Sequence, residues 1–112
     1  MVRKYIAKLQ SYFVDEETLN AYRTTLPFKV GVSYKKEADN YVAFINQIDG
    51  NTVKGLLITQ ATTLEELSDN INQLIYAHSN VPPKVRIRYG NIFTLPINDV
   101  RQKSGKLTLL KA

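Results

Sequence analysis

Several residue types are scarce in this chain, and each scarcity excludes a kind of chemistry. There is no cysteine, which excludes disulfide bonds, thiolate nucleophiles and cysteine-bound metals. Histidine occurs once, at residue 78, and no cluster of histidine and acidic residues has the spacing of metal ligands. We therefore predict that the protein binds no metal and needs no cofactor.

Long apolar runs are also missing. No stretch approaches the roughly 18 apolar residues that a membrane-spanning helix needs, so we predict no membrane span. The first residues, MVRKYIAKLQSYF, lack the long apolar core and the small-residue cleavage site of a signal peptide. Because the chain also has no cysteine for disulfides, we predict a cytoplasmic protein.

Signatures of catalysis are equally scarce. The glycines form no phosphate-binding loop, and His78 near the end of a predicted helix is explained by the helix dipole. Asp49 precedes a glycine in a predicted turn, where an aspartate usually bonds its own backbone. Glu65 and Glu66 are adjacent and point in different directions around a helix, so they are poor acid–base partners. We therefore predict no catalytic residue and no enzymatic activity.

Negative charge is scarce at the C-terminal end. Residues 1–27 carry a net charge of +1, residues 28–81 carry −2, and residues 82–112 carry +6 with Asp99 as their one acid. The whole chain has a net charge of +5. This asymmetry indicates an acidic or polyanionic partner near the C-terminal end. The alternative is that these charges only keep exposed strand faces soluble.

The spacing of apolar residues changes at residue 28. Before it, helical spacing and an N-cap at Asp15 predict a helical extension over residues 1–27. The first helix of this extension has its apolar positions at Val2, Tyr5, Ile6, Leu9 and Phe13. After residue 28, three segments are typical of strands, FKVGVSY, YVAFINQI and TVKGLLIT. The Asp-Gly pair between the last two favours a hairpin turn, so we predict an antiparallel meander.

The segment TTLEELSDNINQLIYAH predicts the main helix, from about residue 63 to residue 78. Two capping boxes fit its start, because Glu65 follows Thr62 by three residues and Glu66 follows Thr63 by three residues. One face of the helix is predicted to pack on the sheet and the other to be polar. The packing stripe comprises Leu64, Leu67, Ile71, Leu74, Ile75 and His78, and the outward residues are Asp69, Asn70, Asn72 and Gln73.

The C-terminal third offers further extended segments. KVRIRY alternates basic and apolar residues and predicts a strand over residues 84–89. IFTLPI predicts an edge segment, because Pro96 limits its pairing. The basic residues 98–112 form either a loose arm or a late edge strand.

Together these elements predict one α+β fold. Its antiparallel sheet has three or four strands in the order β-β-β-α-β, with one main helix packed on one face. The predicted regions are an N-terminal helical extension over residues 1–27, an α+β domain over residues 28–97 and a basic C-terminal tail over residues 98–112.

The predicted basic strand is the strongest local signal for function. Lys84, Arg86 and Arg88 share one strand face at intervals of about 6.5–7 Å, close to the phosphate spacing along one strand of nucleic acid. Tyrosines offer stacking faces for bases: Tyr5, Tyr12, Tyr41, Tyr76 and Tyr89. The candidate nucleic-acid-binding residues are Lys84, Arg86, Arg88, Tyr89, Arg101, Lys103 and Lys106. The alternative is that lysine and arginine only protect an edge strand from pairing.

A resemblance to a known family adds a second hypothesis. The segments VGVSYKKEADNYVAFINQIDG and TTLEELSDNINQLI are similar to the first hairpin and the helix start of the HicB-type antitoxin domain, a reduced ribonuclease-H-like fold. The resemblance covers residues 28–89. It implies a non-enzymatic binding module that masks a small basic RNA-cleaving toxin of the HicA type.

Three function hypotheses therefore stand side by side. The first is the HicB-like protein-binding module, which is predicted to form a homodimer through an exposed sheet edge. The second is a small RNA- or DNA-binding protein that uses residues 84–89 and the tail. The third is a domain with a structural or adaptor role. The position of the basic residues separates the first two. Salt bridges from Arg86 and Arg88 to acidic residues within a dimer would count against nucleic-acid binding, whereas an accessible surface shared with Tyr89 and Lys103 would favour it.

Overall fold

The computed structural model describes residues 14–55, 57–96 and 104–111. The helices in these ranges are α1 (Glu16–Thr25), α2 (Leu64–His78) and α3 (Pro83–Tyr89). The strands are β1 (Lys29–Glu37), β2 (Asn40–Ile48), β3 (Asn51–Thr52), β4 (Ile58–Ala61) and β5 (Ser104–Leu110). The predicted α+β class with an antiparallel sheet is confirmed. The predicted first helix, between Val2 and Phe13, lies outside the described residues.

The sheet is a meander completed by a distant strand. Its order is β3-β2-β1-β5, and β4 pairs with the same edge of β2 as β3 does. The turn between β2 and β3 is the predicted hairpin at Asp49 and Gly50, whose φ angles are 51° and 82°. Positive φ at both central residues matches the twist of the flanking strands. The third predicted strand, TVKGLLIT, is divided into β3 and β4. Directly after β3, Val53 N–H donates to Asn46 C=O of β2 at 3.0 Å.

One hydrophobic core joins the sheet to the helices. Val30, Val32 and Tyr34 on β1 are buried because alternate residues of a strand point to the same face. The long helix α2 buries Leu67 and Ile71 in this core. The predicted arrangement of one main helix over one face of the sheet is confirmed.

Of the two predicted capping schemes, the start of α2 follows the one that has Thr63 as the cap. Thr63 is the N-cap, and its hydroxyl accepts a hydrogen bond from Glu66 N–H at 3.1 Å. The Thr62 hydroxyl donates to the Glu66 carboxylate, also at 3.1 Å. Thr62 therefore holds the Glu66 side chain, while Thr63 satisfies the backbone N–H of Glu66, one of the free amides in the first turn.

The predicted orientation of two α2 residues was wrong. Asn72 is completely buried rather than outward, and His78 is exposed rather than packed. The buried stripe continues from Asn72 to Tyr76, because the segment after α3 packs against this side of the helix. Phe93 of that segment donates its N–H to Asn72 Oδ1 and accepts from Asn72 Nδ2, both at 2.8 Å.

The prediction of a strand over residues 84–89 was also wrong, since Pro83–Tyr89 forms α3. Proline is preferred at the first position of a helix and glycine directly after its end, and Pro83 and Gly90 follow this pattern. Gly90 has a φ of 60°, which glycine adopts without a steric penalty. Helical spacing also places Val85 in the core while Ile87 remains exposed, so the period-two pattern of KVRIRY did not determine the structure.

The C-terminal segment is part of the sheet. Of the two alternatives for residues 98–112, the late edge strand is confirmed for Ser104–Leu110, which pairs antiparallel with β1. Its Leu109 is buried in the core, and Lys111 Nζ donates to the carbonyls of Arg23 and Leu26 at the end of α1. The predicted IFTLPI edge is reduced to a single bridge between Phe93 and Lys111.

Candidate functional site

The basic residues predicted to share one strand face are dispersed by α3. Lys84 and Arg88 lie one helical turn apart, whereas Arg86 points about 200° away from Lys84. Arg86 Nε donates to Val81 C=O at 2.6 Å. Arg88 Nη1 donates to Val14 C=O at 3.4 Å, and Arg88 Nη2 lies 4.0 Å from Glu16 Oε1. Both arginines therefore contact the protein itself.

The remaining predicted site residues do not complete a basic cluster. Tyr89 is half-buried, and its hydroxyl donates to Leu19 C=O, which joins α3 to α1. Arg101 and Lys103 lie outside the described residues. Lys106 is exposed on β5, in the sheet, and so belongs to a different surface from α3.

The open face of the sheet lies on the side opposite to α2. It is formed by the outward alternate residues of β1, β2, β4 and β5: Lys29, Gly31, Ser33, Lys35, Val42, Phe44, Asn46, Gln47, Ile58, Gln60, Ser104, Lys106, Thr108 and Leu110. We refer to this surface as the open face. Antiparallel sheets commonly bury one face in the core and leave the other in contact with solvent.

Exposed apolar side chains lie on the open face, two of them side by side toward its β4 edge. Phe44 and Ile58 are directly opposite each other on β2 and β4, and they remain 37% and 41% exposed. Leu110 at one corner of the same face is 65% exposed. Contiguous exposed apolar side chains with polar neighbours are typical of interaction surfaces.

Two shallow hollows flank Lys106 on the open face. The first, of about 320 Å³, is polar and contains Gly31, Asn46, Gln47, Thr52 and Thr108 in its lining. The second, of about 350 Å³, lies between Phe44, Lys35 and Ser104. Gly31 is among the residues that line the first hollow, and Gly105 is among those that line the second.

The charge on the open face is positive. Lys29, Lys35 and Lys106 are exposed there, and Lys35 forms an ion pair of 2.9 Å with Glu37. The sequence predicted that the carboxylate of Asp49 bonds its own backbone, and this prediction was wrong. The carboxylate accepts instead from the N–H groups of Phe28 and Lys29, at 2.7 and 3.1 Å, so it fixes the start of β1.

Two tyrosines lie close together beside the buried polar groups of α2. The Tyr76 hydroxyl donates to Gly90 C=O at 2.7 Å and accepts from Ile92 N–H at 3.1 Å. Burial raises the pKa of Tyr76 and of Tyr89, whose rings lie 6.0 Å apart. All of these groups have partners within the fold, so the cluster fixes the loop after α3.

Other kinds of site are not found in the described part of the chain. No group of three or more histidine, cysteine or acidic residues there is arranged to hold a metal ion. None of the described helices has the length and apolar character that a membrane crossing requires. Compared with protein-family models, curated proteins and solved structures, the chain matches none of them.

The sequence contained a partial signal for the open face. Period-two alternation marked Phe28–Tyr34 as a half-exposed strand and so predicted one polar face. It did not identify Phe44 or Ile58, because YVAFINQI and TVKGLLIT are apolar at most positions. Their exposure depends on the register between β2 and β4, which a single sequence does not specify.

Proposed function

We propose that this chain is a non-enzymatic protein-binding module of the HicB type, which masks a small RNA-cleaving toxin. The observation that supports it best is the open face, where Phe44 and Ile58 form an exposed apolar pair. Protein interfaces commonly have an apolar centre within a polar rim, and here the rim is supplied by Ser33, Gln60 and Lys106. The homodimer stays a prediction.

The border between β4 and α2 suits a basic partner. Asn70 Nδ2 donates to Gln60 C=O at 3.0 Å, which holds the start of α2 against β4. Glu65 and Glu66 are exposed in the first turn of this helix. A basic toxin would have to extend past the β4 edge onto α2 to meet these carboxylates, because the open face itself carries Lys29, Lys35 and Lys106. Opposite charge speeds and orients such encounters.

The experiment that tests this proposal is an RNA-cleavage assay with a HicA-type toxin. We expect the purified chain to suppress cleavage, and the double variant Phe44→Asp with Ile58→Asp to lose most of this protection. The matched control is Ile87→Asp, since Ile87 on α3 is exposed to 45% but lies outside the open face. Equal protection by both variants, or no protection at tenfold excess of the wild-type chain, would contradict the proposal.

A second candidate function is supported by the lysines of the open face. Lys29, Lys35 and Lys106 accompany Phe44 on one sheet surface, and single-stranded nucleic acids bind such surfaces through phosphate contacts and base stacking. The test is fluorescence polarisation with labelled RNA and DNA at low and physiological salt. We expect the double variant Lys35→Glu with Lys106→Glu to bind more weakly and with a smaller salt dependence. The double variant Lys84→Glu with Arg88→Glu on α3 is the control. Absence of binding at low salt would exclude this candidate.

A further inference from the structure

One edge of the sheet is regular and, among the described residues, largely unpaired. β5 pairs with β1 on one side, and among the described residues only the bridge from Phe93 to Lys111 touches its other side. Lys111 N–H donates to Phe28 C=O at 2.9 Å, within the β1–β5 register. Since hydrogen-bonding directions alternate along an antiparallel strand, Ser104, Lys106 and Thr108 direct their backbone groups away from β1.

This edge has few of the features that prevent strands from pairing. Edges are usually protected by proline, bulges, short length or several charges. β5 pairs with β1 without a register shift over seven residues, contains no proline and carries Lys106 as its one charge. The opposite edge is divided into β3 and β4, of two and four residues. β5 is therefore the edge that can accept another strand.

Two features beside β5 indicate which strand would fit. Lys106 is exposed, and no ion pair among the described residues includes it. The hollow of about 350 Å³ lies directly next to Ser104 and Lys106, and its lining is mostly apolar. An added strand places every second side chain on the open face, within reach of this lysine and this hollow.

We propose that β5 accepts an extended segment of a protein partner as an additional strand of the sheet. The segment carries a carboxylate opposite Lys106 and a large apolar side chain that covers the neighbouring hollow. Backbone hydrogen bonds supply affinity in this mode of recognition, and side-chain pockets supply specificity. The inference rests on the proposed protein-binding function but does not depend on the partner being a toxin.

A second copy of this chain fits the same edge less well. Pairing of two β5 strands uses all three of Ser104, Lys106 and Thr108 when it is centred on Lys106. That register places two lysines directly opposite each other, and like charges in this position are destabilising. A register shifted toward Leu110 meets the segment that bridges Phe93 to Lys111.

The test is an NMR titration of the full chain with two capped heptapeptides, Ser-Thr-Val-Glu-Val-Phe-Lys and its variant with lysine in place of glutamate. Antiparallel pairing of the glutamate with Lys106 places the phenylalanine opposite Ser104, beside the hollow. We expect the glutamate peptide to shift the amide signals of Lys106 and Thr108, and to bind about fivefold more tightly than the lysine peptide. Lys106→Glu should reverse this preference. Thr108→Pro should abolish binding of both peptides, because it removes an outward N–H without removing a bond to β1.

Gln60→Pro is the matched control on the opposite edge, with circular dichroism to verify that each variant folds. Binding at β4, an unchanged preference in Lys106→Glu, or no shift with millimolar peptide would overturn the proposal. Shifts of the same amides on simple concentration of the protein would overturn it in favour of a second copy. Because no toxin is used, failure of this test is distinct from failure of the proposed toxin masking.

Discussion

At the scale of single residues, Asn72 connects α2 to the loop that follows α3. Its side-chain amide donates to Ser68 C=O and Phe93 C=O, and its oxygen accepts from Phe93 N–H. A buried polar group is tolerated only when its hydrogen bonds are made. Asn72 therefore selects one position for this loop, which an apolar side chain would not do.

Asn72→Leu is expected to lower the free energy of unfolding by about 3 kcal/mol, because Phe93 would keep a buried N–H and C=O without their side-chain partner. Urea denaturation followed by circular dichroism measures this loss. Gln73→Leu is the control, since Gln73 is the exposed neighbour, and its effect should stay within about 0.5 kcal/mol. A similar small loss for both variants would show that water replaces the amide.

The buried tyrosines predict a dependence of stability on alkaline pH. Burial raises the pKa of Tyr76 above the ordinary value of 10.0, so the unfolded chain loses this proton first. The resulting stability is complete below pH 10 and is lost as pH rises through the pKa of the folded state.

The stability lost between pH 8 and pH 11 should be smaller for Tyr76→Phe than for the wild type, although this variant starts from a lower stability. Urea denaturation at the two pH values measures the difference. Tyr41→Phe, on the sheet outside the cluster, is the control. An identical loss for wild type and Tyr76→Phe would mean that other groups cause the alkaline unfolding.

At the scale of elements, the cap of α2 distinguishes two adjacent threonines. Thr63→Ala is expected to cost about 1 kcal/mol, because it removes the acceptor for Glu66 N–H. Thr62→Ala removes a bond between two exposed side chains and should cost less than about 0.5 kcal/mol. Thermal denaturation of both variants measures this order, and a reversed order would place the N-cap at Thr62.

The elements that the sequence predicted correctly have local causes. The β2–β3 turn follows from Asp-Gly chemistry, and α2 follows from its capping threonines and apolar stripe. α3 was misread because Val85, Ile87 and Tyr89 alternate, while Pro83 and Gly90 carried the stronger signal of a helix start and end. Its burial of Val85 depends on α1 and α2, which a local pattern does not contain.

At the scale of the whole molecule, the pairing of β5 with β1 makes residues 104–110 part of the fold. The sequence left open an arm or a strand, because KLTLL alternates only briefly and its partner β1 is distant. In the structure, Leu109 is 1% exposed and Lys111 contacts the end of α1. The candidate site was even less accessible from sequence, since the open face exists only when four strands lie side by side.

Two adjacent leucines of β5 test whether this strand is part of the folded sheet. Leu109→Ala should lower the free energy of unfolding by about 2–5 kcal/mol, because it leaves a cavity in the core. Leu110→Ala, on the exposed side of the same strand, should change it by less than about 0.5 kcal/mol. Chemical denaturation of both variants provides the comparison. Equal effects would contradict the assignment of β5 to the sheet.

The pairing of β1 with β5 also has a consequence for folding during synthesis. Lys29 pairs with Leu110, and Lys35 pairs with Ser104, so β1 needs partners made roughly 70–80 residues later. At about 5–20 residues per second, one side of β1 stays unpaired for on the order of ten seconds on the ribosome. Such non-local pairing slows folding. We expect the backbone N–H and C=O groups on that side of β1 to remain unpaired, and open to chaperones, throughout this interval.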